Sequence, residues 1–435
     1  MVLCFKSRLT RPVRVGHNGL LSFYKSILTA VTALAAVCAL DAAGIQSAAP
    51  KTARSKAAAK KRRRTVAPVA AHFVKAASGA DAAPPKDTAE ATPVKKTAGP
   101  VAPAPAHIPG GPWRVPNYAE STEGDSIDGD DMQVRRAAVD ALGRLNGSVV
   151  VADPETGRVL TIVNQKLAFK SGFEPCSTIK VPVALAALSE SIVDRDTVIR
   201  IYGSTTVGMT QALAKSNNYY FASLGEKLGF DRFHYYAKLF GLGEKAGLGI
   251  EGEQAGTLTR ETPSNGGVGM MTSFGEGITL TPLQLTAIMS AVANGGTLYY
   301  LQYPRGQRDL LELTPRVKRR LDIAQLIPDI KPGMSGAVEY GTARRAGDAH
   351  ETIYGKTGTC TDPHSPTHLG WFGSFTEAGN QKLVVVVLLT GGKLVSGGAA
   401  AAVAGSVYKE LDAQDFFAHA RIPAPVTIAA QSAGQ

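Results

Sequence analysis

Residues 174–188 read Glu-Pro-Cys-Ser-Thr-Ile-Lys-Val-Pro-Val-Ala-Leu-Ala-Ala-Leu. The almost wholly apolar run that follows the serine predicts a buried helix over residues 177–190. Ser177 then opens this helix at the positive end of its macrodipole, and Lys180 lies one turn further along the same face. A lysine amine that burial keeps neutral can take the proton of a serine hydroxyl and activate it as a nucleophile. The pair therefore indicates a candidate catalytic centre, and the alternative interpretation is a capping serine beside a solvated lysine.

The chain has 435 residues and a formal net charge of +11, but this charge is unevenly distributed. Residues 1–115 hold 18 of the 47 Lys and Arg residues and 4 of the 36 Asp and Glu residues, so residues 116–435 carry a balance of −3. The near-neutral part argues against nucleic acid as a partner, and the basic run at residues 60–64 is more typical of a solvated tail or an electrostatic tether. The Cys and His residues do not have the spacing of metal ligands. We therefore expect chemistry without a metal or another cofactor.

Residues 1–45 have the plan of a secretory signal, in which basic residues precede an apolar run at residues 27–40. This run is shorter than the roughly 20 residues that a membrane span needs. We expect a signal peptide or a signal anchor, and hence an exported protein that is periplasmic or anchored in the cell membrane facing the periplasm. Residues 46–130 are rich in Ala, Pro and Lys, which predicts a disordered linker. One folded domain then remains, residues 131–435.

The order of the predicted elements indicates the fold class. The predicted strands are a hairpin over residues 147–164 and three successive strands at residues 352–359, 371–376 and 383–389. The predicted helices lie at residues 132–145, 177–190, 209–240 with a break at Gly229, 281–293 and 397–411. Strands at both ends with helices between them predict an α+β domain, in which the N-terminal hairpin joins the C-terminal strands in one antiparallel sheet.

Two further short motifs follow Ser177 along the chain. Ser216-Asn217-Asn218 fits a turn between helices, and Lys356-Thr357-Gly358-Thr359 lies on a predicted strand. The ordered set Ser-x-x-Lys, Ser-x-Asn and Lys-Thr-Gly is the signature of penicillin-binding proteins and related β-lactamases. Taken singly, a lysine on a strand is most often solvated and an asparagine in a turn most often structural. The ordered combination favours a catalytic site over those interpretations.

Further segments make the resemblance more specific. From about residue 147 to residue 392 the chain resembles the transpeptidase domain of a class B penicillin-binding protein, in the penicillin-binding protein and serine β-lactamase superfamily. The segments that resemble the family's spacer motifs are residues 216–221, 240–247, 279–285, 293–296 and 341–343. The resemblance implies a β-lactamase/transpeptidase-like fold, in which helices flank an antiparallel sheet and form a helical subdomain.

The resemblance also implies a role for each motif side chain. It implies that Ser177 attacks the substrate carbonyl, that Lys180 takes the proton of Ser177, and that Ser216 relays a proton to the departing amine. Asn218 would hold the substrate amide and Lys180. Lys356 would be a fixed positive charge that helps to keep Lys180 neutral. These five residues are the candidate catalytic residues.

The candidate substrate-binding residues follow Lys356. The resemblance implies that the hydroxyls of Thr357 and Thr359 receive a substrate carboxylate. Gly358 would leave room for the substrate backbone beside the strand. The oxyanion hole of the family is made by backbone N–H groups, which here would belong to Ser177 and Thr359.

Two cysteines flank these motifs. Cys176 precedes the candidate nucleophile, and Cys360 shares a strand face with Gly358 and Lys356. Their positions match the active-site disulfide of class A carbapenemases. That resemblance implies a Cys176–Cys360 disulfide after export, and the alternative is two free, partly buried thiols.

The function that the resemblance implies is a serine D,D-transpeptidase, which cross-links peptidoglycan stem peptides through an acyl-enzyme on Ser177. β-Lactams would be its inhibitors, and cell-division or elongation proteins its partners. A serine β-lactamase is an alternative, but it needs a base for deacylation, and no glutamate between Ser216 and Lys356 has a context that we recognise as that base. A third interpretation is a non-catalytic penicillin-recognising sensor or scaffold.

Overall fold

The computed structural model describes residues 115–170, 172–347, 352–362, 367–377 and 381–418. The predicted signal segment and the predicted linker up to residue 114 lie outside these residues. Within the described ranges, we find no helix that is both long and apolar enough to cross a membrane.

The strands are longest near the C-terminus, where three of them have nine residues each. In chain order the strands are β1 (Gly147–Ala152), β2 (Val159–Val163), β3 (Val198–Tyr202), β4 (Thr205–Gly208), β5 (Thr257–Leu258), β6 (Ile278–Thr279), β7 (Thr297–Tyr299), β8 (Val317–Arg320), β9 (Ile353–Thr361), β10 (His368–Thr376) and β11 (Leu383–Gly391).

Helices occupy most of the chain between β2 and β9. In chain order the helices are α1 (Met132–Leu142), α2 (Gln165–Ala168), α3 (Lys180–Ser189), α4 (Met209–Ala214), α5 (Asn218–Leu228), α6 (Phe230–Leu239), α7 (Gly267–Ser273), α8 (Pro282–Ala293), α9 (Gln307–Glu312), α10 (Ile327–Glu339) and α11 (Gly397–Ala413). Two short 3₁₀ turns are present as well, Cys176–Ile179 and Arg344–Ala346.

One five-stranded antiparallel sheet organises the described residues, in the order β2-β1-β11-β10-β9. Val150 of β1 pairs with Val386 of β11, and Lys356 of β9 pairs with Gly373 of β10. The predicted union of the N-terminal hairpin with the C-terminal strands is therefore confirmed, as is the α+β class. Strand β9 forms one edge of the sheet.

Helices cover both faces of the sheet, because the central strands have apolar side chains on both faces. Every residue of β11 is buried, as expected for its continuous apolar run. Val384 and Val386 belong to the core cluster that includes α3 and α8, whereas Val385 and Val387 belong to the cluster that includes α1 and α11. The Ser-x-x-Lys segment therefore packs on one side of the sheet, and both chain ends of the domain pack on the other.

The helix that was predicted from residue 177 begins later. The 3₁₀ turn Cys176–Ile179 precedes it, and α3 starts at Lys180. Pro182 has no backbone N–H, so it fits the first turn of an α-helix and not its interior, which accounts for this start. Cys176 has a φ of 50°, in the left-handed region. The chain therefore turns sharply immediately before Ser177.

The predicted helical stretch 209–240 contains two breaks and not one. Besides the break at Gly229, the chain turns at residues 215–217, where Ser216 has a φ of 56°. Asn217 then caps α5, because its side-chain oxygen accepts the N–H of Tyr220 over 2.9 Å. The Ser-Asn-Asn motif thus lies in a turn between helices, where its sequence placed it.

The segment before α1 also packs on the domain. Arg135 of α1 is buried and forms ion pairs with Asp125 and Asp130, each with an N–O distance of 2.9 Å. The packed chain therefore begins upstream of residue 131, the boundary that composition indicated, because carboxylates of the polar segment 115–130 pair with a buried cation.

Candidate active site

The candidate nucleophile and base lie in contact. Lys180 Nζ lies 2.6 Å from Ser177 Oγ. It also lies 2.7 Å from Asn218 Oδ1 and 2.8 Å from the carbonyl oxygen of Ser273. Both of these oxygens can only accept hydrogen bonds, so a neutral amine gives its two protons to them and directs its lone pair at the serine hydroxyl. The arrangement suits Lys180 as a base.

The charge state of Lys180 fits the same role. Burial, and after it the charge of Lys356, lowers the pKa of Lys180 to about 6. The amine is therefore mostly neutral at pH 7. Burial also lowers the pKa of Lys356, to about 7. An anion bound beside Lys356 favours its charged form.

Ser216 is held by the lysine of the third motif. Lys356 Nζ donates to Ser216 Oγ over 2.8 Å and to the carbonyl oxygen of Thr357 over 2.9 Å. Because Ser216 and Asn218 lie in one turn, the second motif contacts both lysines. The structure thus brings the five predicted catalytic side chains together at the junction of α3, α5 and β9.

The two threonines of the third motif have partners outside the motifs. Thr357 Oγ1 lies 2.6 Å from Thr342 Oγ1. Thr359 Oγ1 accepts the backbone N–H of Gly397, the first residue of α11, over 2.7 Å. Thr357 is buried and Thr359 is exposed, so the two hydroxyls lie at different depths along β9.

Gly358 has a packing role that was not predicted. A Cβ at this position would lie 3.0 Å from the carbonyl oxygen of Pro175, 3.2 Å from Cβ of Cys176 and 3.2 Å from Cγ2 of Thr178. The missing side chain therefore lets the turn that carries the nucleophile pack on β9. Room for a substrate backbone beside β9 stays a prediction, and this packing is a second reason for glycine at the position.

Cys176 and Cys360 are joined by a disulfide in the structure, with their Cα atoms 5.6 Å apart. The bond ties the 3₁₀ turn to β9. Ser177 directly follows one half-cystine and Thr359 directly precedes the other. The disulfide therefore lies beside both backbone N–H groups that the resemblance assigned to the oxyanion hole.

A perturbed carboxyl group also lies near the nucleophile in sequence. The pKa of Glu174 is raised to about 7, mainly by burial and further by the negative charges of Glu276 and Asp362. None of these three was predicted as a site residue. In the described part of the chain, no group of three or more His, Cys, Asp or Glu side chains is arranged to hold a metal ion.

Two other contributors were missed by the sequence analysis. Ser273 acts through a backbone carbonyl, for which a sequence carries no side-chain signal. Thr342 belongs to the Gly-Thr-Ala segment, residues 341–343, whose sequence indicates only a spacer motif of the family. The hydroxyl of Thr342 was the one signal in the sequence that could have indicated a role in the site.

Comparison with known families decides the relationship of the chain. Residues 147–411 match the family model described as the penicillin binding protein transpeptidase domain. The chain belongs to this family. The match covers more than half of the sequence, and it confirms the resemblance that the ordered motifs indicated.

Similar proteins include stage V sporulation protein D of Bacillus subtilis, which is 29% identical over 253 residues, 52% of this chain and 39% of that protein. Peptidoglycan D,D-transpeptidase PbpA of Mycolicibacterium smegmatis is 28% identical over 319 residues, 58% of this chain and 64% of that protein. The chain thus spans less than two thirds of the length of either relative.

A solved structure has the same fold. Pseudomonas aeruginosa PBP2 in complex with WCK 5153 superposes with a TM-score of 0.56 at 24% sequence identity, and the match covers 65% of this chain and 74% of that one. The β-lactamase/transpeptidase-like fold that was predicted is thereby confirmed.

Proposed function

We propose that this protein is a serine D,D-transpeptidase, which acts on peptidoglycan stem peptides that end in D-Ala-D-Ala. The observation that carries the proposal is the buried Ser177–Lys180 pair, with its 2.6 Å separation and a lysine pKa lowered to about 6. Similarity to peptidoglycan D,D-transpeptidase PbpA supports this choice of substrate.

Acylation of the enzyme starts with proton transfer from Ser177 Oγ to Lys180 Nζ. The oxygen attacks the carbonyl carbon of the penultimate D-Ala, and the backbone N–H groups of Ser177 and Thr359 stabilise the tetrahedral oxyanion. The C–N bond then breaks as Ser216 relays to the departing nitrogen the proton that Lys180 had taken. The products are an ester on Ser177 and free D-Ala.

Deacylation uses the same residues in reverse. The attacking group is an amine of a neighbouring stem peptide, or water in a D,D-carboxypeptidase side reaction. It loses a proton to Lys180 through Ser216 and attacks the ester carbonyl. Ser177 leaves and regains its proton from Lys180. A β-lactam acylates Ser177 in the same way, but its leaving nitrogen stays tethered, so the adduct persists.

The remaining motif residues fit substrate recognition in this proposal. Asn218 faces the substrate amide with the side-chain nitrogen that Lys180 does not contact. Lys356, with the hydroxyls of Thr357 and Thr359, receives the terminal carboxylate, which favours the charged lysine.

The proposal includes export from the cytoplasm. A signal-like segment at residues 1–45 and a disulfide at the site both favour an oxidising compartment, the periplasm or the outer face of the cell membrane. Residues 46–114 would then be a spacer between the membrane and the catalytic domain. Cell-division or elongation proteins are the partners that this location favours.

Intact-mass analysis tests the proposed function. The full chain is incubated with benzylpenicillin and followed over time, with Ser177→Ala as the matched control. We expect one drug molecule per wild-type chain, stable for the duration of the measurement, and no adduct on the variant. Release of D-Ala from a stem pentapeptide, with transfer to an added amine, then tests transpeptidation. A wild-type chain that forms no adduct contradicts the proposal.

One observation favours a serine β-lactamase as the second candidate. Glu174 lies three residues before Ser177, and its pKa, raised to about 7 mainly by burial, suits a general base for water. The same time course separates the candidates, because a β-lactamase would hydrolyse the drug and leave no lasting adduct. A non-catalytic sensor would keep the adduct but release no D-Ala from any stem peptide.

A further inference from the structure

Thr342 connects two motif segments without belonging to either. It lies in the turn after α10, and its backbone N–H donates to the carbonyl oxygen of Ala214 over 3.2 Å. Ala214 ends α4, immediately before the turn that holds Ser216. The Thr342 side chain reaches the other way, to within 2.6 Å of Thr357 Oγ1 on β9.

The backbone around Thr342 is closely fixed. A Cβ on Gly341 would lie 2.2 Å from the carbonyl oxygen of Ala214, so only glycine allows this approach. The N–H of Ala343, which is fully buried, donates to the carbonyl oxygen of Ala337 over 2.8 Å. The position of the Thr342 hydroxyl therefore follows from the packing of its neighbours, and the Gly-Thr-Ala segment has a structural reason for each member.

The hydroxyl groups of Thr342 and Thr357 have one O–H proton that their mutual hydrogen bond does not use. A bond between two hydroxyls uses one of their two O–H protons, and the other can be donated elsewhere. Thr357 is 5% exposed, and it directly follows Lys356, whose amine donates to the carbonyl oxygen of Thr357. If Thr342 donates to Thr357, then Thr357 donates into the cleft, and each bond strengthens the other.

The hydroxyl of Thr359 is also left with a proton to donate. Its oxygen already accepts the N–H of Gly397 at the start of α11, so its own proton is left to donate. Each motif hydroxyl thus has a hydrogen-bond partner outside the motif, and Thr357 also receives a proton if Thr342 is the donor. Such relayed donors suit a carboxylate, which only accepts hydrogen bonds.

We propose that Thr342 is a positioning residue for the substrate carboxylate: its hydroxyl donates to Thr357, and this bond turns the Thr357 O–H towards the carboxylate. The inference rests on the proposed function, since it assumes a substrate or β-lactam whose carboxylate lies beside Lys356. Thr342 itself does not touch the substrate in this arrangement.

The test compares a ligand with and without its carboxylate. Second-order acylation rate constants are measured for benzylpenicillin and for its methyl ester on the full chain. For Thr342→Val, which removes the hydroxyl and keeps the shape, we expect about a tenfold loss with benzylpenicillin, less than a twofold change with the ester, and near-complete rescue by Thr342→Ser. Thr361→Val is the matched control, because Thr361 lies on β9 with Thr357 but its hydroxyl contacts His368.

A double-mutant cycle separates positioning from direct contact. If Thr342 acts through Thr357, the Thr342→Val/Thr357→Val variant is no slower than Thr357→Val alone. A further loss in the double variant would show direct contact with the ligand and overturn the inference. An equal loss with penicillin and ester, or no loss with either, also overturns it. A wild-type chain that neither ligand acylates overturns the proposed function itself, and this inference falls with it.

Discussion

Two buried lysines without carboxylate partners distinguish the site at the scale of residues. Lys180 is 0% and Lys356 1% exposed, and in the described part of the chain neither forms an ion pair with an acidic side chain. Burying an unpaired ammonium group is unfavourable, so each lysine favours its neutral form. Lys180 is therefore available as a base near neutral pH, where an exposed lysine would be protonated.

The pH dependence of acylation follows from these two groups. The second-order rate constant reports the free enzyme, in which Lys180 must be neutral and Lys356 charged. We expect it to rise through about pH 6, as Lys180 loses its proton, and to fall above about pH 7, as Lys356 loses its own. Stopped-flow acylation with a β-lactam between pH 5 and 9 measures the profile.

Variants test whether the rise of this pH profile belongs to Lys180 and its fall to Lys356. In Lys356→Met the residual rate should rise at a higher pH than in wild type, because removal of the neighbouring positive charge raises the pKa of Lys180. Lys215→Met, next to Ser216 but exposed, should leave both limbs in place. A wild-type rate that does not change between pH 5 and 9 would refute the assignment of Lys180 as the base.

At the scale of elements, the site depends on how the 3₁₀ turn Cys176–Ile179 lies against β9. Gly358 allows the close approach, and the Cys176–Cys360 disulfide holds it. Cys176 also has a left-handed φ, which is unfavourable for a residue other than glycine and persists only where its surroundings impose it. The bond therefore maintains a turn that the local sequence does not favour.

Opening this disulfide should slow acylation. In Cys176→Ser/Cys360→Ser the turn can move away from β9, and the two backbone N–H groups of the oxyanion hole lose their fixed separation. We expect acylation by benzylpenicillin to be at least tenfold slower and stability to fall by about 3 kcal/mol, measured by intact mass and by urea unfolding.

Two controls test whether slower acylation is due to loss of the Cys176–Cys360 disulfide. Cys4→Ser/Cys38→Ser keeps the site disulfide and should behave as wild type. Reductant should slow the wild type and leave the double-serine variant unchanged. Equal acylation rates in all of these proteins would mean that packing around Gly358 alone holds the turn.

The elements were largely predictable, because their signals are local. Periodicity located the strands of the sheet, and the order of the elements predicted their union with the hairpin. The predicted helix at residues 281–293 is α8, which Thr281 caps together with Gln284. The 3₁₀ turn was not predicted: Pro182 was a local signal for a later start of α3, but the position of the turn against β9 depends on a strand that lies far along the chain. For the same reason the motifs named the side chains of the site but not Thr342, the Ser273 carbonyl or the packing role of Gly358.

At the scale of the whole molecule, the buried ion pairs of Arg135 fasten the incoming chain to the domain. Arg135 belongs to α1, which packs on the face of the sheet opposite to α3. Its partners Asp125 and Asp130 have side chains that are 1% and 0% exposed. The attachment of the N-terminal segment is thus separate from the site, with the sheet between them.

Removal of this cation should destabilise the domain without altering its chemistry. Arg135→Met leaves two buried carboxylates unpaired, and we expect the free energy of unfolding to fall by about 3 kcal/mol at pH 7. The acylation rate of the folded fraction should be unchanged. Urea unfolding and intact mass measure the two effects.

The neighbouring residue supplies the control. Arg136→Met removes an exposed arginine from the same helix, and its effect on unfolding should be within about 0.5 kcal/mol. If the two variants unfold alike, the ion pairs do not hold the segment. If Arg135→Met slows acylation in the folded protein, the two faces of the sheet are coupled.

The disulfide also makes the protein tolerant of proteolysis. Cys176 and Cys360 are 184 positions apart, and the covalent ring that they close contains Ser177, Ser216 and Lys356. A protease that cuts the exposed turn at residues 203–204, between β3 and β4 and inside this ring, produces two fragments that remain one molecule. The nucleophile on the first fragment and the lysine of the third motif on the second stay linked through the sulfur atoms, so a single nick cannot separate the two sides of the cleft.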